Sequence, residues 1–136
     1  MITFAVDTSA LIAVLNDEPD VMLYKQAFHQ ADALFLSTAT LLEAACVVSR
    51  RRLDEGRRRL DVLIESLSPD IVPFDLDQLA VAKAAYFRFG RGTGHPADLN
   101  MGDCFAYALA KTRRLPLLFK GNDFIHADVE PALKPA

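Results

Sequence analysis

Ile2-Thr3-Phe4-Ala5-Val6-Asp7-Thr8-Ser9-Ala10-Leu11 passes from a short apolar run of β-forming residues, through one carboxylate, into a helix. Ile2 to Val6 reads as a buried first strand with Asp7 at its carboxyl end, and Thr8 to about Leu15 as the helix that follows. The rest of the chain repeats this alternation. Pro19 opens a second helical stretch in which Val21, Tyr24, Lys25 and Phe28 are helically spaced, and Ala33 to Leu36 supplies a second strand. Ser37-Thr38-Ala39-Thr40 starts a long helix to about Leu53. Asp54 caps another, with Leu60, Leu63, Ile64 and Leu67 as its apolar stripe, and Ser68-Pro69-Asp70 stops it.

Ile71 to Phe74 makes a third strand and Leu76 to about Phe89 a further helix, while Gly90 to Pro96 reads as a loop. Asn100 restarts a helix whose Met101, Cys104, Phe105, Ala108 and Leu109 are expected to face the core. Leu117-Leu118-Phe119 gives a fourth strand closed by Lys120-Gly121, and Val129 suggests a fifth. Strands separated by helices imply a mainly parallel sheet covered on both faces. The expected fold is therefore α/β, with about five strands, in one domain over residues 1–136. In such sheets chemistry gathers at the carboxyl ends of strands.

Composition narrows the classes. Hydrophobic residues at 51% and no biased tract exclude a disordered chain. The N-terminal run meets Asp7 too early for a signal peptide or a spanning helix, so no membrane partner and a cytoplasmic location are expected. Cys46 and Cys104 each fall in an apolar helical pattern and are expected to be small buried hydrophobes. A net charge of −3 argues at first against a polyanionic partner, since nucleic-acid binding rests on phosphate neutralisation. The positive charge is clustered, however: Arg50-Arg51-Arg52, Arg57-Arg58-Arg59, and the pair Arg88 and Arg91. Such runs either hold RNA or an acidic partner segment, or form a solvated helix face.

Four acids stand where an α/β sheet places its chemistry, and each has a purely structural alternative. Asp7 could be only a helix N-cap. Glu43 closes Thr40-Leu41-Leu42-Glu43, which fits a capping box, but Cys46 and Val47 extend its face with apolar groups. Only Arg50 offers a cation nearby on that helix. Asp103 follows the N-cap residue Asn100 and shares its face, continued by Tyr107, so both could project into a cleft. Asp123, just after the fourth strand, could be a turn residue. Together, at strand ends and helix starts of one sheet, the four would converge. Carboxylates about 4 Å apart repel by roughly 4 kcal/mol per pair at an effective dielectric near 20, so the cluster stays ionised only around a cation. Oxygen-only ligation points to Mg²⁺ or Mn²⁺, which lowers the pKa of a bound water and neutralises charge on a phosphate under attack.

The chain also resembles the VapC family, the PIN-domain toxins of bacterial toxin–antitoxin pairs, along essentially its whole length. Asp7-Thr8-Ser9-Ala10-Leu11 and Ala39-Thr40-Leu41-Leu42-Glu43 carry part of the likeness. The most specific part runs from Arg88-Phe89-Gly90-Arg91-Gly92, through Leu99-Asn100-Met101-Gly102-Asp103-Cys104-Phe105-Ala106-Tyr107, to Leu117-Leu118-Phe119-Lys120-Gly121-Asn122-Asp123-Phe124. The resemblance implies a PIN-like fold and a Mg²⁺- or Mn²⁺-dependent endoribonuclease that cuts structured RNA such as tRNA or rRNA. It also implies a homodimer and a cognate VapB-like antitoxin. Asp7, Glu43, Asp103 and Asp123 match the family's acidic set, with Asp7 and Asp103 foremost as metal ligands. Ser9 and Asn100 match positions that orient ligands or waters, and Asp128 is expected in their company. Arg50 to Arg52, Arg57 to Arg59 and Arg91 are expected to contact RNA or antitoxin. Asp98 and Ala127 depart from the family pattern. His95 is expected to pack in its loop rather than act as a base.

Two other readings remain at this point. One is a receiver-type phosphoacceptor domain, with Lys120 as its conserved-type lysine, although its first strand ends in one acid rather than two. The other is a catalytically silent RNA- or protein-binding module in which the acids only cap helices.

Overall fold

The computed structural model describes residues 1–133. In chain order the elements are β1 (Thr3–Val6), α1 (Thr8–Leu15), α2 (Val21–Gln30), β2 (Ala33–Ser37), α3 (Thr38–Arg50) and α4 (Gly56–Leu67). β3 (Asp70–Val72), α5 (Leu76–Phe89), α6 (Met101–Arg113), β4 (Leu117–Leu118) and a 3₁₀ turn (Phe124–His126) complete them. The four strands form one sheet in the order β3-β2-β1-β4, every pair parallel. Alternating side chains serve two cores. Phe4, Val6, Leu34, Leu36 and Leu118 point to the layer of α1 to α4, whereas Ala5, Val72 and Leu117 point to α5 and α6. Burial of such side chains is the dominant favourable term, roughly 1.5–3 kcal/mol for each fully buried Leu or Phe.

Among the described residues the sheet has four strands where about five were expected. The C-terminal segment does run beside β4, where the N–H of Leu117 donates to the carbonyl of Glu130 and that of Ala132 to the carbonyl of Leu117. The pairing stops at a single bridge from Leu117 to Pro131 and makes no further strand. Val129 is buried but outside any strand. Pro73 ends β3 at Val72. Phe119 drops out of β4, its carbonyl accepting the Tyr24 hydroxyl at 3.2 Å.

Several helix boundaries also shift. α2 begins at Val21, after Asp20, whose carboxylate is held by Lys120 at 2.8 Å rather than capping the helix. α3 ends at Arg50, and α4 starts at Gly56 behind Glu55, not Asp54. Cys46 is exposed, contrary to expectation, because α3 turns Thr40, Ala44, Val47 and Val48 inward and Cys46 lies between those rows. Cys104 is buried as expected, and burial pushes its thiol up to about 11. On α6, Met101 is exposed rather than core-facing, while Tyr107 is buried. α6 is covered on two sides, by α5 and by the sheet, so its apolar surface is wider than one stripe.

β1 fixes the place of the site. From it the chain crosses to β2 on one side and later returns to β4 on the other, leaving a crevice beyond their carboxyl ends. The N–H of Asp7 donates to the Leu118 carbonyl at 2.9 Å, holding the two strand ends together there. Among the described residues, no helix is long and apolar enough to cross a membrane.

Candidate active site

A cleft of about 330 Å³ opens at that crevice, and Asp7, Ser9, Glu43, Asn100, Asp103 and Asp123 all line it. Four elements supply them: the β1–α1 junction, the first half of α3, the start of α6 and the segment after β4. Thr8, Glu18, Val47, Arg50, Arg51 and Lys120 complete much of the wall.

Asp7 is the N-cap of α1 and is 3% exposed. Its Oδ2 accepts both the backbone N–H of Ser9, at 3.0 Å, and the Ser9 hydroxyl, at 2.5 Å. The Ser9 Oγ in turn accepts the N–H of Lys120 at 2.9 Å, which ties Asp7 to the end of β4. Asp7 Oδ1 has no hydrogen-bond partner although it is buried. The capping explanation therefore accounts for one oxygen and leaves the other needing a cation or a donor. Burial, reinforced by Asp103 and Glu43 and opposed by the Ser9 hydrogen bonds, raises the Asp7 carboxyl to about 7.

Asp103 and Asn100 form a reciprocal capping box. The Asp103 N–H donates to Asn100 Oδ1 at 2.8 Å, and the Asn100 N–H donates to Asp103 Oδ2 at 2.9 Å. That box fixes the carboxylate at the cleft wall while α6 carries the rest of its length into the core. Burial first, then the charges of Asp123 and Glu43, raise Asp103 to about 6. Arg91 acts in the opposite direction on Asp103. Glu43 does not form the capping box suggested by its spacing, because α3 starts three residues earlier than that box requires, with Ser37 rather than Thr40 as N-cap. Its Oε1 instead accepts the hydroxyl of Thr8 at 2.5 Å. Asp123 is exposed at the mouth.

The four acids thus share one cleft, where the charges of Asp103 and Glu43 act on Asp7 and those of Asp123 and Glu43 act on Asp103. Among the described residues, no three His, Cys, Asp or Glu side chains close into a ready-made ligand group. The carboxylates form an open oxygen-rich set, and the unpartnered Asp7 Oδ1 fits a hard divalent cation.

Other expected residues are placed apart. Asp128 lies outside the cleft lining; it accepts the Tyr107 hydroxyl at 2.5 Å and pairs with Lys111 at 3.6 Å and Arg88 at 3.8 Å. Tyr107, expected to continue the Asn100 and Asp103 face into a cleft, packs against Phe89 instead. The arginines divide: Arg50 and Arg51 line the acidic cleft, whereas Arg52, Arg57 and Arg58 border a separate groove at the α3–α4 corner. Arg59 donates to the Leu15 carbonyl at 2.5 Å, and so joins α4 to α1. Arg91 pairs with Asp98 at 4.0 Å, which gives that unusual acid a partner. His95 packs edge-on against Phe89 and accepts the Ala97 N–H, the loop role expected of it.

Lys120 reaches to both Glu18 and Asp20, so its ammonium is already matched by two carboxylates. A receiver-type lysine would have to stand ready for a phosphoryl group instead. Glu18, in the cleft wall, and Gly102, behind it, are residues that the sequence pattern did not single out. Gly102 lies directly against Glu43.

The PIN domain family model matches residues 4–130. Ribonuclease VapC28 of Mycobacterium tuberculosis is 51% identical over 128 residues, covering 94% of this chain and 96% of that protein. The chain belongs to the PIN-domain VapC family. Its fold is also that of the Mycobacterium tuberculosis toxin VapC20, described as cleaving the sarcin-ricin loop, with a TM-score of 0.75 at 16% identity over 97% of this chain and 99% of that one. VapBC2 of Rickettsia felis, solved bound to a DNA fragment from its promoter, gives a TM-score of 0.70 at 14% identity, covering 95% of this chain and 96% of that one.

Proposed function

We propose that this protein is a Mg²⁺- or Mn²⁺-dependent endoribonuclease and the toxin of a VapBC-type pair, hydrolysing phosphodiester bonds in structured RNA such as tRNA or rRNA. The observation that carries the metal-dependent reading is Asp7: a buried carboxylate with one oxygen held by Ser9, the other unpartnered, and three more acids around the same cleft. Asp7 and Asp103 would hold the cation, with Glu43 and Asp123 adding charge. When bound, it supplies a lowered pKa to water and neutralises phosphate charge. The chain's own contribution is orientation. Ser9 fixes the Asp7 carboxylate, the Asn100 box fixes Asp103, and Arg50 and Arg51 stand at the rim to meet a phosphate.

Incubation of the protein with total RNA and Mn²⁺, followed by mapping of the cleaved ends, tests this. Discrete ends that vanish with Asp103→Asn are expected; unchanged cleavage by that variant would overturn the assignment.

The arginines beyond the rim extend the same reading. Arg52, Arg57 and Arg58 continue from Arg50 and Arg51 around the α3–α4 corner, a path suited to the backbone of a folded RNA. Neutralising Arg52, Arg57 and Arg58 together is expected to lower the slope of log affinity against log salt by roughly 2 to 3 for structured RNA. An unchanged slope would mark a solvated face. The partners on this reading are the RNA, a cognate VapB-like antitoxin and a second copy of the chain. For the homodimer, an apolar groove lined by Phe74, Leu79, Phe87, Met101 and Phe105 offers a face of suitable chemistry.

A further inference from the structure

Glu43 is seated by two neighbours that are not among the acids. The Thr8 hydroxyl donates to its Oε1 at 2.5 Å and lies 3.5 Å from the Thr40 carbonyl on Glu43's own helix. On the other side, a Cβ built on Gly102 would lie 1.6 Å from Glu43 Oε2 and 2.2 Å from its Cδ. Gly102 is buried within α6 and its φ is not positive, so helical backbone geometry does not require glycine there. Glycine in a helix is unfavourable relative to alanine, which leaves space for Glu43 as its use. The placement is systematic: Thr8 follows Asp7 and Gly102 precedes Asp103, so the segments that carry the two innermost acids also grip the third.

We propose that Thr8 and Gly102 are positioning residues that form a socket for the Glu43 carboxylate and set its place relative to Asp7 and Asp103. This rests on the ribonuclease reading for its consequence, but the socket itself is a contact that can be measured separately. Gly102→Ala forces the carboxylate out of its seat. A displacement of about 1 Å at a reacting centre costs about 100-fold in rate. The expected result is a kcat about 100-fold lower with KM little changed, and weaker Mn²⁺ binding by calorimetry. Thr8→Val, which keeps the volume and removes the hydroxyl, should lower kcat about 10-fold, whereas Thr8→Ser should restore it.

The decisive experiment is a double-mutant cycle of Gly102→Ala with Glu43→Asp, whose shorter side chain withdraws from the added methyl. Melting temperature and RNA cleavage are read for the parent and all three variants. Coupling is expected in both: the double variant should melt and cleave like Glu43→Asp alone. Penalties that add independently in both measurements would overturn the socket, as would Gly102→Ala with parental kcat and Mn²⁺ affinity. A parent protein that cleaves no RNA, with coupling still present in melting, would instead overturn the ribonuclease reading, and the positioning role with it, while leaving the contact standing.

Discussion

Two acidic centres flank helix α6, and they treat their carboxylates in opposite ways. At the helix start, Asp103 joins Asp7, Glu43 and Asp123 in a cleft where burial and like charges raise the pKa values of Asp7 and Asp103. Farther along, Tyr107 reaches Asp128, which Lys111 and Arg88 also approach, and these groups hold its carboxyl below the usual range despite partial burial. The residue type is the same, and the supply of donors differs. A satisfied acid is a fastening, whereas a cluster with an orphaned oxygen is held in an unfavourable state by the surrounding fold and is available to a cation.

The largest expected effect comes from removing the unsatisfied charge. Asp7→Asn keeps an oxygen for the Ser9 donors and eliminates the buried charge. Cleavage should fall on the order of 100-fold or more, while the melting temperature in chelator at pH 8 should be no lower than the parent's. Loss of activity together with a large loss of stability would make Asp7 a fastening like Asp128, and the contrast would fail.

Next comes pH. Asp7 and Asp103, raised to about 7 and about 6, bind protons more tightly in the folded than in the unfolded chain. Between about pH 4 and 7 the folded state therefore carries more protons, and stability falls as pH rises. Asp128 has the opposite sign: its lowered pKa contributes stability above about pH 4 that is lost as pH falls through the folded value. The metal-free protein should melt on the order of 5 °C higher at pH 5 than at pH 8, and saturating Mg²⁺ at pH 8 should remove most of the difference. Equal melting at the two pH values without metal would show that the cleft carboxylates are not destabilised by their setting.

The same contrast explains what could be read before folding. Asp7 was legible because an acid between an apolar strand and a helix has a defined place in an α/β sheet, and the Asn100–Asp103 box is a local spacing that the structure reproduces. Glu43 stood out for its apolar face, but its true partners are Thr8 and Gly102, brought to it only by tertiary packing. Lys120 was opaque for a similar reason, since its carboxylates Glu18 and Asp20 lie about a hundred positions earlier. A helical pattern states which residues are apolar, not how many sides of the helix are covered. That is why Cys46 and Met101 were assigned to the core and Tyr107 to a cleft.

The smallest effect is expected at the satisfied acid. Tyr107→Phe removes the hydroxyl from Asp128 without changing the packing of the ring on Phe89. Asp128 is exposed enough to take water in its place and keeps Lys111 and Arg88 nearby, so the cost should be about 1 kcal/mol. Asp128→Ala should cost slightly more, because it strands the hydroxyl of a buried tyrosine, roughly 1–2 kcal/mol. Both should leave RNA cleavage within about twofold, since Asp103 is fixed by Asn100 at the helix start and not by what happens one turn later. A tenfold loss of kcat in Tyr107→Phe with a native melting profile would mean that α6 transmits the Asp128 contact to Asp103. The two centres would then be one unit, and the satisfied acid would be tuning the unsatisfied one.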